Sequence, residues 1–176
     1  MIALYRRLLG GRFEELPAQV QALHDVTAPC TWVGRADVER GDNIASRRLA
    51  TMFGLPPAGR DLPLSVTFTP RGEAEIWTRT FGSKTFASTQ FAAHCELRER
   101  VGPVLLHMTL QPDATGLSLA LVAGRLFGVP LPRWLLPRIR TRESERDDRY
   151  RFEVEAVMPV LGRLVRYDGW LERAAR

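Results

Sequence analysis

Polar side chains that suit anion binding and proton transfer line one face of a predicted first strand. Within residues 34–41, Arg35, Asp37 and Glu39 alternate with small or apolar residues, and alternate residues of a strand share a face. Inside a cavity, Arg35 would hold a carboxylate or phosphate, and Asp37 or Glu39 would act as a base. On the outside of a sheet, the same residues would form a solvated face of alternating charge. The sequence leaves both interpretations open.

An aromatic ring and a cation share a face of a later predicted strand. Trp77 and Arg79 alternate there, so the ring would cover a ligand that the guanidinium anchors. An exposed aromatic residue among cross-strand ion pairs fits the pattern equally well. Together with Arg35, these two residues are the predicted ligand contacts. Glu143, on another predicted strand, joins the two acids of the first face as a candidate for proton transfer.

Histidines and cysteines form no recognisable metal or nucleophile motif. His94 and Cys95 are neighbours, and neighbours on a strand point to opposite faces, so this pair is not expected to share a metal ion. Cys30 and Cys95 are expected to be reduced, buried thiols. His24 follows an apolar helical pattern and is expected to interact with the C-terminal end of the helix dipole. No glycine-rich phosphate loop occurs, so we predict neither a metal nor a cofactor.

The elements that must position these residues are predominantly strands. Residues 1–28 show a helical pattern, and from Thr31 the apolar period changes to two. A helix at 42–54 interrupts the alternation, which then continues with turns every eight to twelve residues or so. No helix is long enough for a parallel crossover. We predict one domain over residues 1–176, mostly β (α+β), in which residues 29–176 form an antiparallel meander of about nine or ten strands closed into a barrel or half-barrel.

Composition and charge exclude several classes of protein. The 176 residues are 45% hydrophobic and 26% charged, which is typical of a folded globular domain rather than a disordered chain. The net charge is +5, and because Lys84 is the single lysine, the chain is arginine-rich. The arginines are interleaved with acids, so no nucleic-acid partner is predicted. No signal peptide or membrane-spanning stretch is apparent, so we expect a cytoplasmic protein without an integral membrane segment.

An apolar, proline-rich segment at residues 126–139 has no regular period. Phe127, Trp134 and Leu135 lie in it with flanking arginines, and it is too irregular for a strand. Such a segment covers the core or a cavity mouth, contacts a partner protein, or touches a membrane interface, where tryptophan and arginine are both favoured. The sequence does not choose among these three.

Motifs spread over nearly the whole chain resemble one bacterial family. They are Tyr5 with Leu8-Leu9-Gly10, Leu23-His24-Asp25, residues 34–41, Leu55-Pro56-Pro57-Ala58-Gly59, Trp77-Thr78-Arg79-Thr80-Phe81-Gly82, Glu99-Arg100-Val101-Gly102-Pro103, Gly128-Val129-Pro130-Leu131-Pro132 and Tyr167-Asp168-Gly169-Trp170-Leu171. As a set they are similar to the uncharacterised domain of unknown function 4166. Members occur alone or behind an NAD-binding reductase-like domain, so the resemblance implies that a reductase-like partner would be a separate polypeptide. It implies no activity and no catalytic residues.

Three functions are compatible with these features. The first is a non-enzymatic module that binds a small apolar or amphipathic molecule in a barrel cavity. The second is an interaction domain that docks on a separate NAD-binding reductase, or peripherally on a membrane surface, through residues 126–139. The third is an enzyme in which a cavity carboxylate transfers a proton.

Overall fold

The N-terminal segment forms three short helices with one buried side. In this computed structural model, which describes residues 2–175, α1 spans Leu4–Leu9, a 3₁₀ helix spans Gly10–Glu15 and α2 spans Ala18–His24. Pro17 precedes α2 directly, where the missing N–H of proline is not needed by the helix. The side chains that these helices bury are Leu4, Tyr5, Phe13, Val20, Leu23 and His24.

Strands make up most of the remaining chain. Within the described residues, eleven strands follow: β1 (Cys30–Arg40), β2 (Gly59–Arg71), β3 (Ala74–Phe81), β4 (Lys84–Ala93), β5 (Glu96–Val101), β6 (Val104–Asp113), β7 (Gly116–Leu126), β8 (Val129–Pro130), β9 (Arg138–Arg146), β10 (Arg149–Met158) and β11 (Gly162–Arg173). Helix α3 (Ile44–Met52) lies between β1 and β2. It begins after Asn43, whose side chain accepts a hydrogen bond from the backbone N–H of Ser46.

The strands close into a ten-strand antiparallel barrel. Each long strand pairs with its neighbour in sequence, β7 pairs with β9, and β1 pairs with β11 from Trp32 opposite Arg173 to Arg40 opposite Val165. The two-residue β8 pairs only with the end of β7. Closure removes the unpaired edges that an open meander would leave. The predicted mostly β fold is confirmed, and a barrel rather than a half-barrel is formed.

The antiparallel order gives the barrel two different ends. Successive connections alternate between the ends, so α3, the β3–β4 and β5–β6 turns, the β7–β9 loop and the β10–β11 turn lie at one end, called here the mouth. The other end, called the closed end, carries the remaining turns. The N-terminal helices cover the closed end, where Arg12 donates to the carbonyl oxygen of Pro112 and the N–H of Gln19 donates to Glu145. The barrel is therefore plugged by the N-terminal helices, and α3 lies against β1 and β11 at the mouth.

The two cysteines differ from the sequence expectation. Cys30 is half-buried at the start of β1, and Cys95 is exposed at the tip of the β4–β5 hairpin. His94 and Cys95 both have positive φ, as a tight two-residue hairpin turn requires. This turn carries the Cys95 side chain out of the sheet, so the expectation of a buried thiol was wrong for Cys95.

No helix among residues 2–175 combines the length and apolar character that crossing a bilayer requires.

Candidate functional site

The barrel encloses a cavity of about 180 Å³ between the N-terminal plug and the mouth. Its wall is mainly apolar and includes Phe53, Leu55, Phe86, Val101, Leu106 and Ile139. Polar side chains interrupt this wall: Tyr5, Gln90, Glu99 and Glu143, called here the floor, and Arg79, which lies opposite Phe86. A small molecule inside would therefore meet an apolar wall and a hydrogen-bonding floor.

Two residues of this floor, Gln90 and Glu99, belong to a row of polar residues across three neighbouring strands. Glu75, Gln90 and Glu99 occupy directly paired positions on β3, β4 and β5. Tyr5 of the plug donates its hydroxyl to Oε1 of Gln90 at 3.0 Å. The plug and the barrel wall are thus joined by a buried hydrogen bond.

Glu75 forms a second buried connection between plug and barrel. Its carboxylate accepts hydrogen bonds from the backbone N–H of Leu4 and from Nε1 of Trp77, both at 3.1 Å. The side chain is almost fully buried. Burial raises the pKa of Glu75 above its ordinary value, although the two hydrogen bonds oppose the shift.

Glu75→Gln is expected to flatten the dependence of stability on pH. Because the pKa of Glu75 lies above 4.5 in the folded chain, the folded state binds this proton more tightly than the unfolded state does. The contribution of Glu75 to stability is therefore present at low pH and lost as the pH rises through the raised pKa. Urea unfolding at about pH 5 and about pH 8 should show a smaller loss of stability in E75Q than in the unchanged chain.

Glu73→Gln is the matched control, because the Glu73 side chain is 92% exposed and two residues away. It should keep the pH dependence of the unchanged chain. Equal losses in E75Q and the unchanged chain would contradict the assignment of a buried, proton-binding role to Glu75.

His24 and Glu143 form a buried pair at the closed end of the cavity. His24 Nε2 and Glu143 Oε2 are 2.5 Å apart, and the two side chains are 0% and 5% exposed. The imidazole also stacks on Tyr5, with ring centroids 3.7 Å apart. Glu143 lines the cavity. Burial and, next, the charge of Glu143 raise the pKa of Tyr150 well above its ordinary value, so this phenol stays protonated beside the carboxylate.

The position of His24 corrects the sequence expectation. It does end α2, but its side chain points into the barrel rather than towards the helix terminus. His24 lies four residues after Val20, on the same buried face of the helix. That spacing was visible in the sequence, whereas the pairing with Glu143, 119 residues away, was not.

Trp77 and Arg79 line the cavity from β3. The Arg79 guanidinium lies over the Trp77 ring at 4.9 Å and donates to Ser88 Oγ at 2.8 Å and to Glu99 Oε1 at 3.3 Å. The strand thus turns its polar face inward. The contact of Trp77 and Arg79 with a ligand remains a prediction.

The structure places Arg35, Asp37 and Glu39 on the outer surface of the barrel. The inner face of β1 is taken by Trp32, Ala36 and Val38, all of which are buried. On the outside, Arg35 pairs with Asp61 at 3.1 Å and Glu39 pairs with Arg163 at 3.2 Å. These residues do not reach the cavity, so Arg35 cannot contact a ligand there. Of the three acids considered for proton transfer, Glu143 is the one that does.

The segment 126–139 joins β7 to β9 at the mouth. Phe127 and Trp134 are 80% and 66% exposed, whereas Leu135 is half-buried. Leu131 and Leu136 lie over Gly124 on β7 and hold the loop against the barrel. The segment also contains the short β8, where the sequence predicted no strand.

No three His, Cys, Asp or Glu side chains within residues 2–175 are grouped so that they could hold a metal ion.

A comparison with protein families places the chain. The family model described as a domain of unknown function, DUF4166, matches residues 16–171. The chain belongs to this family. The matched DUF4166 segment contains α2 and, apart from the last two residues of β11, the ten barrel strands, and with them His24, Glu143 and most of the cavity wall. Tyr5 and Leu4 of the plug precede it. No curated protein matches the chain, and the family description states no activity.

Proposed function

We propose that the protein is a binding module that holds a small, mainly apolar molecule inside the barrel. The observation that carries this proposal is the cavity, whose wall is mainly apolar and includes a few polar groups, among them Tyr5 of the plug. Ligand sites typically combine a largely apolar wall with a few converging polar groups.

The size of the cavity limits the ligand. A cavity of about 150 Å³ in another protein accommodates benzene, and drug-sized ligands occupy pockets of roughly 300–1,000 Å³. The 180 Å³ here therefore suit a molecule with about one ring or a short aliphatic chain, plus one polar group.

The charges in the cavity wall limit the polar group of the ligand. Glu99 and Glu143 line the cavity, and the Arg79 guanidinium is already held by Glu99 and Ser88. Carboxylate and amide oxygens accept hydrogen bonds, so they favour a ligand that donates them. We therefore expect a hydroxyl or amino group on the ligand, directed at these carboxylates, rather than an acidic head.

The test combines native mass spectrometry of the purified protein with titration of phenols, arylamines and short-chain alcohols. Leu106→Trp and Val101→Phe each enlarge a wall residue of the cavity and should weaken binding by about tenfold or more. Leu105→Trp is the matched control, because Leu105 neighbours Leu106 on β6 but is not part of the wall. A stoichiometric adduct or saturable binding that both wall variants weaken would support the proposal. The proposal would be overturned if the protein shows neither an adduct nor saturable binding, or if the two wall variants bind as tightly as the control.

A second candidate function is proton transfer on the bound molecule. It is favoured by Glu143, a buried carboxylate that lines the cavity and contacts the His24 imidazole. Here Glu143 would act as the base, and His24 would position it. Glu143→Gln should then bind the identified ligand but fail to convert it. If the protein without this substitution also leaves the bound ligand chemically unaltered, this function is excluded.

A further inference from the structure

Large apolar side chains are exposed mainly at the mouth. Six of them are between 63% and 80% exposed, and they come from three separate connections. They are Ile44 and Met52 on α3, Phe127, Val129 and Trp134 in the β7–β9 loop, and Val160 in the β10–β11 turn. At the closed end, Ile2 is the one comparably exposed apolar residue that the structure describes. The exposed apolar residues therefore cluster at the mouth, the end of the barrel at which Phe53 and Leu55 line the cavity.

The exposed charges at the mouth are almost all positive. The mouth connections and the first or last residue of each adjoining strand carry five exposed cations against a single exposed acid, Asp42. One or two residues further along their strands, the exposed acids Glu39 and Asp61 are paired with Arg163 and Arg35. The five cations are Arg47, Arg48, Lys84, Arg133 and Arg138. None of the five forms an ion pair within the part of the chain that the structure describes. Their charge is thus available to an external anionic partner.

The closed end has the opposite balance. Its four hairpin turns and their adjoining strand ends contain three arginines and five acids. The arginines are Arg71, Arg146 and Arg149, and the acids are Glu73, Glu96, Asp113, Asp147 and Asp148. In the N-terminal plug, Arg6 pairs with Glu14 and Asp25. The positive charge and the exposed apolar residues therefore coincide at one end of the barrel and not at the other.

We propose that the mouth docks on an anionic lipid bilayer. Basic side chains are attracted to anionic headgroups, and tryptophan and other apolar residues partition into the interface below them. The apolar residues come from three separate connections at the mouth, and a fluid bilayer accommodates such an arrangement without shape complementarity. Phe127 and Trp134 enter the interface, and the five cations contact the headgroups. This proposal does not depend on the identity of the ligand.

The test is flotation of the full chain with vesicles. One set consists of phosphatidylcholine alone, and the other contains about 30% phosphatidylglycerol. We expect binding to the anionic vesicles at about 0.05 M NaCl, at least about fivefold less binding at about 0.5 M NaCl, and little binding to phosphatidylcholine alone. Binding that is equal for the two vesicle types, or absent from both, would overturn the proposal.

Matched variants separate the mouth from the rest of the surface. Phe127→Ser with Trp134→Ser should lower binding about tenfold, whereas Ile2→Ser with Val33→Ser removes exposed apolar residues elsewhere and should leave it unchanged. Arg47→Ser with Arg133→Ser should also weaken binding, and Arg71→Ser with Arg146→Ser should not.

All of the substituted residues are exposed, and unchanged thermal unfolding of the variants would show that the fold is intact. Mouth variants that bind as the unchanged chain does, or controls that lose binding equally, would overturn the proposal. The proposal would also be overturned if the protein binds neither type of vesicle but binds another protein through Trp134.

Discussion

His24→Ala is expected to lower the free energy of unfolding by about 3–5 kcal/mol. The imidazole is fully buried, contacts Glu143 and stacks on Tyr5. Its removal leaves a buried carboxylate without this partner and a void beneath the plug. Removing one member of a buried hydrogen-bonded pair costs more than replacing both with apolar residues, because the remaining polar group is left without its partner.

Urea unfolding followed by tryptophan fluorescence measures this effect, since Trp77 lies 5.7 Å from the His24 ring. His107→Ala is the control, because His107 is half-buried on the outer side of β6 and contacts Arg98 there. It should change stability by no more than about 1 kcal/mol. Replacing His24 and Glu143 together with leucine should recover part of the loss. A loss below about 1 kcal/mol for His24→Ala would show that this pair does not hold the plug in place.

Gly34→Ala is expected to destabilise the barrel by about 3 kcal/mol, at the upper end of the effect of overpacking. Gly34 lies on the inner side of β1, directly opposite Leu171 of β11. A Cβ atom at this position would overlap the carbonyl oxygen of Trp170. Because that oxygen belongs to the backbone of β11, the clash cannot be relieved by a side-chain rotation and must displace the strand pair that closes the barrel.

Gly11→Ala is the control, since a Cβ atom on Gly11 would have no neighbour within 4 Å. It should be neutral or slightly stabilising, because alanine restricts the unfolded chain more than glycine does. Thermal and urea unfolding of both variants test this prediction. If Gly34→Ala were as stable as Gly11→Ala, the β1–β11 pair would be able to accommodate a methyl group without loss of stability, and the prediction would be wrong.

The strands were predictable from the sequence because each hairpin repeats the same signals. On β10, for example, Tyr150, Phe152 and Val154 alternate with charged residues, and Asp147 and Asp148 form the preceding turn with positive φ. An antiparallel meander of ten such strands has few arrangements without an unpaired edge strand, so closure into a barrel could also be predicted.

Which face of each strand points into the barrel was harder to predict. On β1 the charged face is outside, as the usual alternation suggests. On β3 it is the face with Glu75 and Arg79 that points inward, because partners on neighbouring strands and in the plug satisfy these groups. Hydropathy alternation alone does not distinguish the two cases. The role of the N-terminal helices as a plug depends on contacts between residues far apart in the chain, such as Tyr5 with Gln90, which no local pattern reveals.

The even number of barrel strands also determines that β1 begins and β11 finishes at the same end of the barrel. Chain direction enters β1 at the closed end, and after ten alternating strands β11 finishes at the same end, with Leu171 opposite Gly34 and Arg173 opposite Trp32. Leu4 of α1 also lies at this end, where its N–H donates to Glu75. A tag or surface linker joined before Ile2 or after Ala175 would therefore extend from the closed end, and the protein can be immobilised with the mouth turned towards the solution.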